Sequence, residues 1–130
     1  MRQTCLFLLL LFVVSSFGQN AENVNLLYHW SEDSLVGSET YDNTYNEIWG
    51  VVIENKEYAI IGSTAGTHFF DVTNPLTASE VAFVEGKVVG PIIIHRDFHD
   101  YKGYLYAVSD EGESSLQIMD ISTLPDSVSL

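Results

Sequence analysis

The sequence predicts an all-β protein of propeller-like repeats: short antiparallel strands in about two blades, forming an incomplete ring. Three observations predict it. From residue 48 onward the apolar residues fall in strand-length runs rich in Val, Ile, Tyr and Phe, split by turn residues. No stretch of that region keeps a helical period for the length a helix needs. A block of about 48 residues occurs twice, a period that suits a propeller blade of three or four strands.

The chain begins with a segment of a different kind. Arg2 is followed by an unbroken apolar run, Leu6 to Val14, and then by small residues at Ser16 and Gly18. A charged start, a short apolar run and a small-x-small exit describe a secretory signal peptide. As a helix this run spans about 14 Å, too short for a bilayer core of about 30 Å. Residues 1–18 are therefore read as the signal peptide, with Gln19 first in the mature chain and no stable membrane insertion after cleavage. The single cysteine, Cys5, precedes the apolar run, where a lipoprotein cysteine would follow it. The mature chain then has no thiol, disulfide or cysteine metal site. Secretion or the cell surface, with a bacterial envelope the expected setting, fits such a domain.

Charge narrows the partners. Eighteen acidic residues against five basic ones give a net charge of −13. That excludes a nucleic-acid binder, which needs a basic footprint, and disfavours docking on anionic lipid. Hydrophobic residues at 46% and aromatic ones at 12% require a packed core, so the chain is not of the disordered class.

Residues 19–47 read as an N-terminal strand and a polar loop. Asn25–Trp30 is the apolar stretch, and Ser31–Asn46 is rich in Asp, Asn, Ser and Thr. Residues 48–130 hold the two repeats, 48–90 and 91–130, the second truncated. Strands of the first are expected at Ile48–Ile53, Tyr58–Gly62, Thr67–Val72 and Glu80–Val84. Strands of the second are expected at Ile94–Asp100, Tyr104–Ser109 and Leu116–Ile121, with a fourth starting near Val128. Glu54-Asn55-Lys56-Glu57 and Thr64-Ala65-Gly66 supply hairpin turns.

The repeat is explicit. Glu57-Tyr58-Ala59-Ile60-Ile61 matches Leu105-Tyr106-Ala107-Val108-Ser109, and Phe69-Phe70-Asp71-Val72-Thr73 matches Ile118-Met119-Asp120-Ile121-Ser122. Pro75 and Pro125 follow in the same order. Asp71 and Asp120 have a structural task here. Each ends a strand, and its carboxylate is placed to accept the backbone N–H two residues on, at Thr73 or Ser122. Two blades leave sheet faces uncovered, and those faces would carry residues such as Tyr106, Val108 and Ile118.

Tyr45-Asn46-Glu47-Ile48-Trp49-Gly50, Glu57–Gly62 and Gly66–Pro75 resemble the choice-of-anchor B family of LVIVD-type repeats. Arg96-Asp97, Tyr104–Glu111 and Leu116–Ser122 resemble that family's next repeat, so the resemblance runs from about Asn25 to Leu124. It implies a propeller-like fold, export, and attachment by a variable C-terminal anchor; it implies no reaction. Trp49, Asp71, Arg96, Asp97 and Asp120 are the motif residues. One departure is His95, which stands where the family usually has Trp before Arg-Asp. The other is a C-terminal part that is not visible, so further blades and the anchor of the same protein are expected partners.

Candidate chemistry is sparse. His95 and His99 on one strand are about 13 Å apart, too far to share a metal at about 2 Å from each. Arg96 and Asp97 are expected to form a pair or a network that ties neighbouring blades, with His99 polar on the surface. Asp110, Glu111 and Glu113 flank Gly112 in an oxygen-rich loop and are the candidate calcium ligands, although the full EF-hand spacing is missing. No nucleophile elbow, phosphate loop or dinucleotide fingerprint occurs, so no catalytic residue is assigned. No other cofactor is implied. The expected function is non-enzymatic, an exported propeller-type module that binds a protein or a glycan. The alternative is a fragment of a secreted propeller-fold hydrolase whose active site other blades complete.

Export is testable directly. N-terminal sequencing of the protein from the envelope or culture fraction should begin near Gln19. Full-length, unprocessed chain in the cytoplasm would refute it.

Overall fold

Tyr58, Ala59, Ile60 and Ile61 are apolar at four consecutive positions. Successive strand residues point to opposite faces, so a strand here has no face suited to water. Stacking of sheets answers that demand. The computed structural model describes residues 23–113 and 116–130. The proposed signal peptide and Cys5 lie outside the described residues.

The first sheet has four antiparallel strands in sequential order: β1 (Tyr45–Ile53), β2 (Lys56–Ser63), β3 (Gly66–Asp71) and β4 (Ser79–Glu85). The second has three: β5 (Arg96–Tyr101), β6 (Tyr104–Ser109) and β7 (Gln117–Asp120). Both sheets are open meanders, and the described residues are all-β apart from a 3-10 turn at Pro75–Thr77. Two-residue turns set the register of the first hairpin in each sheet. Glu54 and Asn55 have φ of 48° and 65° between the paired Ile53 and Lys56, so the expected four-residue turn narrows to two. Lys102 and Gly103 have φ of 50° and 82° between Tyr101 and Tyr104. Two positive φ values match the strand twist, and Gly103 reaches its value without steric cost.

The core lies between the sheets. Tyr58, Ile60, Phe69 and Val84 from the first sheet meet Phe98, Leu105, Ala107 and Met119 from the second, joined by Ile121 and Leu124. Ile60, Phe69, Leu105 and Met119 are wholly buried. The facing strands are β1 and β5 with β2 alongside. Trp49 Nε1 donates to Asp100 Oδ1 at 2.9 Å across this junction.

Three expectations need correction. Asn25–Trp30 forms no strand. Leu26 and Leu27 stay exposed, and Trp30 is held by ring packing instead of a ladder: its centroid lies 4.8 Å from Phe70 and 5.4 Å from Tyr45. β5 begins at Arg96, not Ile94. The Ile94 N–H is diverted to Glu111 Oε2 at 3.1 Å and its carbonyl accepts from Asn43 and Asn46 side chains at 3.2 and 3.3 Å. The fourth strand near Val128 reduces to one bridge, Asp120 to Ser129. Among the described residues, no helix is long and apolar enough to cross a membrane.

The repeat carries over by face but not by register. Tyr58 pairs with Asp71, whereas the equivalent aspartate, Asp120, pairs with Tyr104, two residues before Tyr106. A two-residue slip preserves which side chains face which way.

Phe69→Ala should cost about 3–5 kcal/mol, because it deletes a ring at the centre of the intersheet core. Ile48→Ala, at a side chain 66% exposed, should shift stability by no more than about 0.5 kcal/mol. Equilibrium urea unfolding of both variants checks the contrast.

Candidate functional site

Two polar constellations and one repeated turn hold the chemistry of the described residues. The turn comes first because the sequence marks it twice. At the end of β3, Asp71 Oδ1 accepts from the Thr73 N–H at 3.0 Å, and Lys56 Nζ lies 3.6 Å from Oδ2. At the end of β7, Asp120 Oδ1 accepts from the Ser122 N–H at 2.9 Å and from its hydroxyl at 2.6 Å. Those hydrogen bonds, from Thr73 and Ser122 respectively, favour the ionised forms and hold both carboxyls below their ordinary pKa.

Arg96 is 4% exposed at the start of β5. Its Nε donates to the Ser63 carbonyl at 2.7 Å and its Nη2 to the Val88 carbonyl at 2.8 Å. A β-carbon on Gly86 would lie 2.3 Å from the guanidinium, so glycine at 86 is what allows that approach. Burial pushes the Arg96 pKa down, and the nearby Glu111 charge works against that. The expected Arg96–Asp97 pair does not form. Neighbours on a strand point to opposite faces, and Asp97 is exposed while Arg96 turns inward. Arg96 does tie the sheets together, through backbone carbonyls.

The first constellation sits above that arginine. Glu111 Oε2 accepts from the Ile94 and His95 N–H groups at 3.1 and 3.2 Å. His95 Nδ1 lies 3.6 Å from both Glu111 Oε1 and Asp110 Oδ2. Partial burial opposes charge on Glu111, but the two N–H donors and His95 outweigh it and hold the pKa below its ordinary value. One ligand atom from each of His95, Asp110 and Glu111 falls within 4.8 Å of the others. The sequence grouped Asp110, Glu111 and Glu113, and weighed His95 only with His99. The structure exchanges those partners. Glu113 is exposed outside the group, and His99 lies on β5 beside Trp49, ring centroids 5.5 Å apart. The group has the donor types for a cation, and Glu111 Oε2 is already engaged by the Ile94 and His95 N–H groups.

The second constellation was missed by sequence reasoning. Ser63 Oγ and His68 Nε2 are 2.8 Å apart, and His68 Nδ1 lies 2.8 Å from Glu80 Oε1. With Nδ1–H donating to Glu80, Nε2 accepts the Ser63 proton. The order serine, histidine, carboxylate is that of a nucleophilic relay. Its setting is not. Ser63 is 0% exposed, and its oxygen accepts from the Ala65 and Gly66 N–H groups at 3.1 and 3.2 Å. Trp30 and Phe83 lie over the imidazole at 5.0 and 4.6 Å. The relay clasps the β2–β3 turn to β4. The signal that could have found it is the period of two: Ser63 and His68 flank a short turn and share one face.

No family model, no curated protein and no solved structure matches this chain.

The depressed carboxyls fix a pH dependence. A carboxyl whose folded pKa lies below its ordinary 3.8 adds stability above that pH and loses it as pH falls through the folded value. Asp71→Asn with Asp120→Asn keeps the acceptor oxygen and removes the charge. The double variant should lose less stability than the wild type as pH drops below about 4. Urea midpoints measured from pH 7 to about 2.5 check this, and parallel acid limbs would refute it.

Proposed function

We propose that this chain is an exported, non-catalytic binding module of propeller-type repeats, recognising a protein or a glycan at the cell surface or outside the cell. The observation that carries the reading is the repeated sheet unit. Two antiparallel meanders stack face to face, and each ends its third strand on the same aspartate-to-backbone turn. Repeat architectures stack such units to build extended surfaces and leave their loops free for recognition. The apolar start of the chain supports export, and the net charge of −13 suits a partner without a phosphate backbone.

The alternative is a fragment of a secreted propeller-fold hydrolase whose active site other blades complete; among the described residues the group nearest to a nucleophilic relay is Ser63 with His68 and Glu80. Its burial speaks against that role, because a nucleophile has to reach a carbonyl or phosphoryl centre.

Labelled mature protein on glycan and extracellular-protein arrays should give saturable, salt-tolerant binding to a defined class. In parallel, ester and glycoside substrates should show no turnover that Ser63→Ala removes. Turnover abolished by Ser63→Ala, without array binding, would replace the module by the hydrolase.

A further inference from the structure

The intersheet contact has a side that is used and a matching side that is open. Tyr58, Ile60 and Phe69 are at most 1% exposed, because Phe98, Leu105, Ala107 and Met119 cover them. Their repeat equivalents are Tyr106, Val108 and Ile118. These lie on the opposite face of the second sheet, with Tyr101 and Tyr104 beside them. That face is open: Tyr101 is 57% exposed, Tyr104 43%, Val108 41% and Ile118 46%, with exposed Asp97 and His99 between them on β5. The aromatic and branched residues that the first sheet buries against its neighbour recur in the second sheet without one.

The other end of the stack is open as well. The outer face of β1 carries Ile48 and Val52, 66% and 71% exposed, beside Gly50. With Ala59 and Val72 they line a mostly apolar groove that Glu57 borders. By the registers, Gly50 opposes Ala59 as Phe98 opposes Ala107, so this is the face by which the second sheet covers the first. Trp30 covers the Phe70 side of this face, so each chain exposes the β1 side of one face and the whole outer face of the other, the two kinds that its internal contact uses.

From this we infer that a second copy of the chain docks head-to-tail, the outer face of β5–β7 in one copy against the outer face of β1 and β2 in the next. The contact continues the intersheet packing already present inside the chain, and it would remove from water the aromatic and aliphatic side chains named above. The two faces differ, so the contact is heterologous. Each copy has both faces, and assembly proceeds beyond a dimer unless the rotation per copy closes a ring. The inference stands on the two exposed faces and not on what the exported module recognises.

The test uses complementary blocked variants. Ile118→Glu places a charge on the β5–β7 face, and Val52→Glu places one on the β1 face. Both side chains are exposed, and circular dichroism melts confirm that each variant folds. Sedimentation velocity of the wild type should show mass rising with concentration past two chains. Each variant alone should lack these higher species, and an equimolar mixture should stop at two chains, since one intact face of each kind remains. Ile118→Glu with Val52→Glu in one chain should add to neither single variant. Val108→Lys with Ile48→Lys repeats the mixing test if either glutamate variant unfolds. A wild type that stays monomeric at all concentrations overturns the inference, and leaves the face to further repeats of a longer chain. A wild-type dimer that Ile118→Glu abolishes and Val52→Glu does not would mean a symmetric contact, and overturns it too.

Discussion

The first sheet carries apolar residues on both of its faces, and much of the structure follows from that constraint. A meander such as β1–β4, with Tyr58 and Ile60 on one side and Ala59 and Ile61 on the other, cannot rest as a single layer in water. Area removed from water contributes about 25 cal/mol per Å², so each uncovered face is a standing cost. The first sheet meets it with a second sheet on one side and with Trp30 over part of the other. The second sheet covers its inner face only. The molecule is in this sense a stack with two ends, and its ends are where its surface is least like that of a self-contained domain.

The charged and imidazole groups that enter the stack are answered, while the Tyr58 hydroxyl and Thr67 Oγ1 are buried there without a hydrogen-bond partner. Arg96 brings a charge to the junction of the sheets, which would be strongly unfavourable without partners. Two carbonyls, Ser63 and Val88, accept from it, and Glu111 supplies a counter-charge nearby. The same Glu111 receives the N–H groups of Ile94 and His95 and so ends the ladder just before β5. His68 is satisfied on both ring nitrogens, between Ser63 and Glu80. These networks set loop and turn geometry at the places where strands stop pairing, which is where a sheet has backbone groups to spare.

The arrangement weighs on function through what it closes and what it leaves open. A serine–histidine–carboxylate order alone would invite a catalytic reading. Here the hydroxyl accepts from the N–H groups of the turn, and the ring packs against two aromatics. The His95, Asp110 and Glu111 group is open, with His95 Nδ1 3.6 Å from both carboxylates. Exposed apolar faces, by contrast, have no internal answer.

The sequence by itself determined the positions of β1 to β7, the places of the Glu54–Glu57 and Thr64–Gly66 turns and the repeated aspartate turn. These are local: alternation, turn chemistry and an acceptor two residues from its donor lie within a few positions of one another. It also marked Tyr106, Val108 and Ile118 as a face without cover, because a repeat places equivalent residues on equivalent faces. Only the tertiary structure decided which partners distant residues find. Arg96 turns away from Asp97 toward carbonyls that precede it in the chain by 33 and 8 positions. His95 meets Glu111 because the strands between them fold back as a hairpin, and Trp30 reaches Phe70 by packing where a ladder was expected. Those outcomes depend on burial and on the path of the chain between elements. Periodicity reports which way a side chain points and not what stands opposite it.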